Sequence, residues 1–390
     1  MAKKKRSFTP NFFYILLLIP VAMLFAWLVW PKKKFVVAII DKTVLTSEGQ
    51  EHASLSWILN NERYTKTEIK NYNVKTDYYG FFPKDSNKYE LKGLERLSPT
   101  QLQKLSNDAD LVYFTDAYGI YSNEWFKRGR ISDRSGLLYG GLHKNDVELM
   151  KLMKEQKKMV IAEFNCLGSP TKSGVDTVFS DLFKVSWSGW IGRYFETFDT
   201  SINKELPRWL IAYYVKQNKR PWKFKRPGIA LINKNDKVVI LEKDIQLNNA
   251  FPEIHSTQHA QDYYGLPEKF NYTFWFEILT TDTATNKVLS TMHLNTNARG
   301  TKQLHAAGIP LNFPAVIRHN AKDYKFWYFA ADFCDNPLSM TASYFKGIKF
   351  FNSFFYNHLD ENDRRKFFWK FYRPLVTKLL DDYYHSIRRD

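Results

Sequence analysis

The hydrophobic and polar positions in the first half of the chain alternate between short apolar runs and longer amphipathic segments. Apolar runs occupy residues 35–40, 111–114 and 159–164, and Glu163 is the single charged residue among them. Such runs are typical of strands that are buried on both faces of a parallel sheet. Between them, Leu55, Ile58 and Leu59 recur at helical spacing, and Ser98 and Gln101 have the spacing of a helix capping box. Strands that alternate with helices predict an α/β fold with a doubly wound, mainly parallel sheet.

The second half of the chain has the shorter alternation that is typical of β-hairpins. Residues 228–232 and 238–241 flank a polar turn, and residues 273–279 and 288–294 are predicted to form a second hairpin. Residues 325–333 predict one more strand. We therefore expect an α/β domain with hairpin insertions at 35–336 and a helical C-terminal segment packed on it at 337–390.

Residues 12–30 form an apolar run without any charge. At about 1.5 Å per residue, a helix of this run is about 28 Å long, close to the hydrocarbon thickness of a bilayer. A cleaved signal peptide has a shorter apolar region that ends in a small-x-small site, and this run has no such site. The sequence therefore predicts a basic tail at 1–11, followed by a transmembrane helix at 12–30 with the lipid bilayer as its partner. The slight excess of basic residues before the run predicts a single-pass protein of the plasma (inner) membrane with most of the chain outside the cytoplasm.

The composition indicates a folded, basic protein. The 390 residues are 44% hydrophobic and 17% aromatic and carry a formal net charge of +17, which excludes an intrinsically disordered chain. The positive charge favours anionic partners such as lipid headgroups, acidic glycans or nucleic acid, and the predicted membrane anchor makes nucleic acid the least natural of them. No nucleic-acid partner is therefore expected. Two cysteines, Cys166 and Cys334, leave open either a single disulfide bridge or two buried thiols.

Polar residues follow several of the predicted strands, at the edge of the sheet where ligands bind in α/β proteins. Asp116, Glu163 and Asp332 are the predicted catalytic residues. The predicted substrate-binding residues are Asp41, Lys42 and Tyr118, together with Trp190, Arg193 and Tyr194 from a glycine-containing loop at 187–194. Carboxylates beside aromatic rings suit a sugar site, because rings stack on pyranose faces and acids bind hydroxyls or exchange protons. The alternative is that the acids cap helices or pair with lysines and that the tryptophans belong to the core.

The strand pattern, including a final strand with the sequence KFWYFAADF, resembles the class I glutamine amidotransferase-like fold, a flavodoxin-like α/β fold. The resemblance covers roughly residues 35–200 and 313–336 and is one of architecture. The chain lacks the Gly-x-Cys-x-Gly elbow of that family, since Cys166 lies in Asn165-Cys166-Leu167-Gly168, and it lacks the downstream His-x-Glu dyad. The resemblance therefore implies a noncatalytic or repurposed relative of the kind found beside carbohydrate-active enzymes, without glutamine hydrolysis. No cofactor and no metal are expected.

Two further hypotheses come from other parts of the sequence. The string from His255 to His259 resembles the His-[Ser/Thr]-x-x-His metal motif of polysaccharide deacetylases, although the Thr-Phe-Asp-Asp stretch of those enzymes is absent. The aromatic C-terminal segment, with Tyr344, Phe350, Phe351, Phe354 and Phe355, suits a noncatalytic scaffold that docks membrane protein partners of an envelope-synthesis complex. The leading prediction is a membrane-anchored extracytoplasmic protein that binds or processes envelope or extracellular polysaccharide. The sequence does not decide whether the protein is an enzyme.

Overall fold

The computed structural model of the protein describes residues 10–84, 87–127 and 135–388, with the side chains described from Leu18 onwards. The α-helices in this part of the chain are α1 (Pro10–Val29), α2 (Gln50–Asn61), α3 (Pro99–Asp108), α4 (Ser122–Phe126), α5 (Lys144–Glu155), α6 (Val175–Phe183), α7 (Arg208–Asn218), α8 (Gln258–Tyr264), α9 (Ala298–Ala306), α10 (Arg364–Phe367) and α11 (Arg373–Ser386). The strands are β1 (Lys33–Lys34), β2 (Val37–Asp41), β3 (Tyr64–Thr65), β4 (Tyr79–Pro83), β5 (Tyr89–Leu91), β6 (Leu111–Asp116), β7 (Ile120–Tyr121), β8 (Leu137–Tyr139), β9 (Met159–Glu163), β10 (Val185–Phe195), β11 (Gly228–Asn233), β12 (Val238–Glu242), β13 (Leu247–Ser256), β14 (Lys269–Asn271), β15 (Phe276–Thr281), β16 (Asn286–Thr296), β17 (Asn312–His319) and β18 (Lys325–Phe329).

The largest sheet has ten strands in the order β14-β13-β16-β17-β18-β9-β6-β2-β4-β5. From β18 to β4 the neighbouring strands run parallel, whereas every other pair in this sheet is antiparallel. The predicted fold class, a mainly parallel sheet preceded by a transmembrane helix, is therefore wrong. The sheet is mixed because β17, β16, β13 and β14 extend it directly with antiparallel strands, where the sequence had suggested separate hairpin insertions.

The five parallel strands lie in the spatial order β4-β2-β6-β9-β18. Numbered along the chain, this is the order 2-1-3-4-5 that flavodoxin-like sheets have. In such sheets the connections leave toward opposite sides next to the first strand, so a crevice opens at the carboxyl ends of the first and third strands. Those strands are β2 and β6, which are buried along their whole length and end in Asp41 and Asp116.

A second sheet of four antiparallel strands, in the order β12-β11-β10-β15, contains part of the second half of the chain. The predicted hairpin at 228–241 is confirmed as β11 and β12. The predicted pairing of 273–279 with 288–294 is wrong, because β15 pairs with β10 while β16 pairs with β13 and β17. The predicted loop at 187–194 is also wrong, since these residues belong to strand β10.

Helix α1 covers the segment where the sequence predicts a transmembrane helix, and that prediction is wrong. Among the residues that the structure describes, no helix has both the length and the apolar character that crossing a membrane requires. The predictions of a membrane protein, and of a single-pass location in the plasma membrane with most of the chain outside the cytoplasm, depended on this span and are wrong with it. Of the predicted basic tail at 1–11, residues 1–9 lie outside the described residues.

The end of α1 packs against the rest of the protein. Trp27 is 6% exposed, and its indole N–H donates a hydrogen bond to the Asn60 carbonyl at 2.8 Å. The guanidinium of Arg63 lies 4.0 Å from the centre of the Trp27 ring, and the backbone N–H of Lys346 donates to the carbonyl of Met23 at 3.1 Å. These contacts join α1 to the end of α2 and to the C-terminal segment.

The C-terminal segment is helical. Its Arg364 side chain reaches Asp335, at the edge of the sheet where the parallel strands end. Two 3₁₀ helices, Met340–Tyr344 and Ile348–Phe354, precede α10, and a π-helical turn at Phe368–Tyr372 joins α10 to α11. Phe368, Phe371 and Tyr372 are completely buried in the larger hydrophobic core, so this segment is part of the folded body.

Candidate functional site

Four carboxyl groups gather at the carboxyl ends of β2, β6 and β18. Asp41 and Asp116 are register partners across β2 and β6, Glu51 lies in the first turn of α2, and Asp335 follows β18. Burial raises the pKa of Asp116 to about 8, and the charges of Asp41 and Asp335 contribute to this increase. Burial, followed by the charges of Asp41 and Asp335, also raises the pKa of Glu51 well above its usual value. Because these carboxyl groups are close enough to oppose one another's ionisation, they form one site, which we call the acidic edge.

Asp41 forms a buried pair with His52 of α2. The Nδ1 atom of His52 lies 2.6 Å from Oδ2 of Asp41, and its Nε2 atom lies 2.6 Å from the carbonyl oxygen of Val74. A carbonyl oxygen can only accept, so Nε2 carries a proton. The contact with Asp41 then needs a second proton, either on Nδ1 or on the carboxyl group. The pair therefore has no net charge and holds a proton between two groups at the acidic edge.

Asp335 is held by one cation and one amide. Nη1 of Arg364 donates to Oδ2 of Asp335, and Nε2 of Gln50 donates to Oδ1 at 2.6 Å. Burial opposes the charge of Arg364, but the charges of Asp335 and Asp332 outweigh it and raise the pKa of the guanidinium. The pKa of Asp332, a predicted catalytic residue, lies well above its usual value because of burial and the charge of Asp335. Arg364 therefore supplies the positive charge that borders the acidic edge.

Lys42 follows Asp41 but points away from the acidic edge. Its side chain is 2% exposed, its Nζ donates to Asp146 of α5, and a second hydrogen bond of 3.0 Å goes to the carbonyl of Gly141. The structure thus places this predicted substrate-binding residue in a buried ion pair that joins the end of β2 to the start of α5.

Glu163, another predicted catalytic residue, lies beneath the acidic edge inside the protein. Its Oε1 accepts from the Tyr113 hydroxyl, and its Oε2 accepts the backbone N–H groups of Phe333 and Cys334, each at 2.9 Å. Burial raises the pKa of Glu163 well above its usual value. With both oxygens occupied, this carboxyl group fixes the turn that follows β18 and presents Asp332 and Asp335. Its predicted catalytic role stays a prediction.

Tyr118 is the aromatic residue at the rim of the acidic edge. Its backbone N–H donates to Oδ1 of Asp116 at 2.6 Å, and its side chain is 37% exposed. Trp275 is half-buried, and its backbone carbonyl accepts from the N–H of Asp332 at 3.2 Å. The backbone of Tyr118 thus contacts the acidic edge, and the backbone of Trp275 contacts the neighbouring Asp332. Trp275 is missed by the sequence analysis, which placed it inside a hairpin strand.

The other predicted aromatic residues lie on β10, in the four-stranded sheet. Trp190 is 5% exposed and belongs to the core, and the ring of Tyr194 packs against Phe251 at 4.6 Å between centroids. Arg193 donates to Glu205 at 2.8 Å. Burial lowers the pKa of Arg193, and the nearby charge of Arg364 also lowers it. Of the three residues, only Arg193 is brought near the acidic edge.

Sequence reasoning also missed Glu51, His52 and Arg364. Glu51 and His52 belong to the first turn of the helix that follows β2, and in a doubly wound sheet that turn starts beside the strand ends. This position could have identified both residues. Arg364 follows Glu51 and His52 by more than 300 residues in the chain, and no local sequence pattern identifies it. Beside Arg364 and Phe274 the protein has a slot of about 10 Å³, enough for about one water molecule.

The two histidines of the proposed deacetylase motif lie on different elements. Nε2 of His255 lies 2.8 Å from Oε2 of Glu253, and both residues belong to β13. The ring of His259 instead stacks on Tyr263 within α8. Over the described residues, no group of three or more histidine, cysteine or acidic side chains is arranged to hold a metal ion. Cys166 and Cys334 are both free and buried, and burial raises the pKa of each thiol. Neither thiol has the low pKa of a cysteine nucleophile.

Comparison with known proteins gives distant structural matches alone. No protein-family model matches the sequence, and no curated protein matches it. Among solved structures, a putative ThuA-like protein from Bacteroides uniformis ATCC 8492 aligns over 89% of this chain and 94% of its own, at 8% identity and a TM-score of 0.37. A beta-galactosidase from Bacillus circulans sp. alkalophilus aligns over 78% of this chain, at 10% identity and a TM-score of 0.34.

A third match, Agd3, is described as a novel carbohydrate deacetylase and aligns over 77% of this chain and 29% of its own, at 10% identity and a TM-score of 0.25. This chain also spans only 30% of the beta-galactosidase. Two of the three neighbours thus have names that denote action on carbohydrate. With TM-scores this low, the likeness carries no argument about this chain, and the resemblance to amidotransferase-like proteins stays a prediction.

Proposed function

We propose that the protein binds or processes a polysaccharide at the acidic edge. The observation that carries this proposal is the meeting of Asp41, Glu51, Asp116 and Asp335 at the switch point of the parallel strands, with the partly exposed Tyr118 bonded to Asp116 through its backbone. Ligands of open α/β sheets bind at this position. A polyhydroxylated ligand suits the groups present, because carboxyl groups accept from and donate to hydroxyls while aromatic rings cover the apolar face of a pyranose.

Asp116 is the proposed proton donor. With a pKa of about 8, its carboxyl group is mostly protonated at pH 7, unlike an ordinary aspartate. A protonated carboxyl can donate a hydrogen bond to a sugar oxygen, and it can transfer its proton to a leaving oxygen. The neighbouring pair of Asp41 and His52 holds a second proton, so the acidic edge contains two places that carry a proton.

Binding is tested with the purified full chain on a broad glycan array at pH 6.5, followed by titration of the best ligand. We expect Asp116→Ala to weaken the affinity at least tenfold, because the substitution removes the central carboxyl group without introducing a larger side chain. Asp108→Ala is the matched control. Asp108 is exposed at the end of α3, by the amino-terminal end of β6, and this variant should bind like the unsubstituted chain. A silent array, or equal loss in both variants, would refute the proposal.

Processing is tested separately from binding. The best ligand is incubated with the protein, and shortened or deacylated products are measured by mass spectrometry. If Asp116 donates a proton, Asp116→Asn should bind the ligand but form product about 100-fold more slowly, since an amide cannot donate in this way. Bound ligand that remains intact with the unsubstituted chain would show a binding protein without catalytic activity.

A second candidate function is the noncatalytic scaffold, and one observation favours it. Phe350, Phe354 and Leu359 are 79%, 83% and 94% exposed, which is unusual for large apolar side chains. A scaffold would bind a partner protein through this surface. The full chain and the Phe350→Ser/Phe354→Ser variant should then differ in co-purification with that partner, whereas Asp116→Ala should have no effect on it.

A further inference from the structure

A second depression lies between α6 and the start of β10. It has a volume of about 260 Å³ and is lined by Asp176, Thr177, Ser180, Asp181, Ser186 and Trp187. Pockets for drug-sized ligands begin at about 300 Å³, so this depression suits a single sugar ring. We propose that it binds one cationic amino sugar unit of the polysaccharide, an inference that rests on the function proposed for the acidic edge.

The Trp187 ring is held in place before any ligand binds. Its indole N–H donates to the carbonyl of Trp190 at 2.8 Å, across a bulge in β10 where Gly189 has a φ of +89°. Because its polar atom is occupied and its side chain is half-buried, the ring loses little freedom when a ligand stacks on it. A fixed, partly exposed indole is a suitable platform for the apolar face of a pyranose.

The polar groups come from one face of α6 and from β10. Asp176 and Ser180 are four residues apart, as are Thr177 and Asp181, so successive turns of the helix present each pair on the same side. Asp176 also accepts the N–H groups of Gly174 and Thr177 at 2.9 and 2.7 Å, which orients its carboxylate. Within the described part of the chain, the side chains of Ser180, Asp181 and Ser186 make no hydrogen bond or ion pair. These three groups are therefore available to a ligand.

The charge of the depression selects the class of sugar. Its lining contains two carboxylates and no lysine or arginine, in a chain whose net charge is +17. Exposed carboxylates attract a cation and repel an acidic sugar. A hexosamine with a free, protonated amine satisfies all three features of the lining, which are the ring platform, the hydroxyls and the negative charge.

The depression and the acidic edge lie on two sides of one loop. This loop follows β9, and its residue Leu167 lines the depression. Burial raises the pKa of the preceding residue, Cys166, and the charges of Glu277 and then Asp116 add to the increase, so this residue lies near Asp116. A polysaccharide that lies across the loop could therefore contact both places, with the amino sugar in the depression and a neighbouring unit at the acidic edge.

The test compares two probes with the full chain by isothermal titration at pH 6. The probes are a β-1,4-linked glucosamine hexasaccharide, whose amines are protonated, and its fully N-acetylated form. We expect the glucosamine hexasaccharide to bind more tightly. Asp181→Asn should weaken its binding about two- to fivefold, the range of an exposed ion pair, and should leave the N-acetylated form unchanged. Trp187→Ala should weaken the binding of both probes, since it removes the stacking platform.

Asp108→Asn is the matched control, because it removes an equal charge at the opposite end of the parallel strands. A glucosamine hexasaccharide that binds equally well to Asp181→Asn and the unsubstituted chain would overturn the inference while leaving the proposed function intact. The same holds for a preference for the N-acetylated form. Failure of both hexasaccharides and of every glycan on the array would overturn the proposed function, and the inference with it. If Trp187→Ala does not fold, Trp187→Phe replaces it. If Ser186→Gly binds the glucosamine hexasaccharide as tightly as the unsubstituted chain does, that result likewise counts against the depression.

Discussion

Glu277 offers a direct test of how strongly this protein penalises a buried charge. The residue lies on β15 and is completely buried, and its Oε1 accepts from the Tyr328 hydroxyl. Its Oε2 has no hydrogen-bond partner among the described residues. Burial raises the pKa of Glu277 to about 8, against a partly compensating effect of the Tyr328 hydrogen bond. The folded protein therefore prefers the protonated acid, and Glu277→Gln replaces it with a neutral group of the same shape.

The expected change in the free energy of unfolding follows from the linkage between protonation and folding. The unfolded chain releases this proton near pH 4.5, whereas the folded protein keeps it up to about pH 8. Between these two pH values, each increase of one pH unit lowers the free energy of unfolding by about 1.4 kcal/mol. Stability from this group is thus lost as the pH rises from 4.5 to 8, and the loss between pH 5 and pH 7 is about 2.5 kcal/mol. Glu277→Gln does not titrate and avoids the loss.

The assay is urea denaturation of both proteins at pH 5, 6 and 7. We expect the stability of Glu277→Gln relative to the unsubstituted chain to increase by about 2.5 kcal/mol across this range. Other groups titrate in both proteins, so their contributions cancel in the difference. Glu148→Gln, at an exposed position of α5, is the control and should show no such trend. A difference that stays constant with pH would refute the assignment of a buried, protonated Glu277.

Three further predictions concern contacts that the structure assigns. His52→Ala removes the partner of buried Asp41 and should lower the free energy of unfolding by about 3 kcal/mol, measured by denaturation. Lys42→Met should cost about 3–5 kcal/mol because it leaves the carboxylate of Asp146 buried and unpaired, and the double variant with Asp146→Asn should recover more than half of this loss. Trp27→Ala should cost about 3 kcal/mol and expose α1 to proteolysis, and an unchanged unfolding curve would contradict the packing of α1 on the body.

The strands that are apolar along almost their whole length could be predicted from the sequence. Residues 35–40, 111–114 and 159–164 correspond to β2, β6 and β9, because only a strand covered on both faces has no reason to alternate with polar residues. The capping box of Ser98 and Gln101 likewise starts α3, with both hydrogen bonds formed. Such signals are local, and local hydrogen bonding and burial decide them.

The pairing of the later strands could not be predicted in this way. The segments at 276–281 and 286–296 are neighbours in the chain, yet they belong to different sheets. Alternating polarity shows that a strand has one buried face, but it does not show which neighbour that strand pairs with. The four-stranded sheet and the antiparallel half of the large sheet are therefore products of long-range packing.

The sequence by itself determined the alternation of strands and helices in the first half, and hence the edge of the sheet at which Asp41 and Asp116 end their strands. Only the tertiary structure decided what each polar side chain does there. It brought Glu51, His52 and Arg364 to the acidic edge, turned Lys42 and Glu163 inward, and packed the end of α1 on the body. The physical reason is range: strand and helix periodicity is set by residues a few positions apart, whereas burial and charge at a site depend on groups that are distant in the chain.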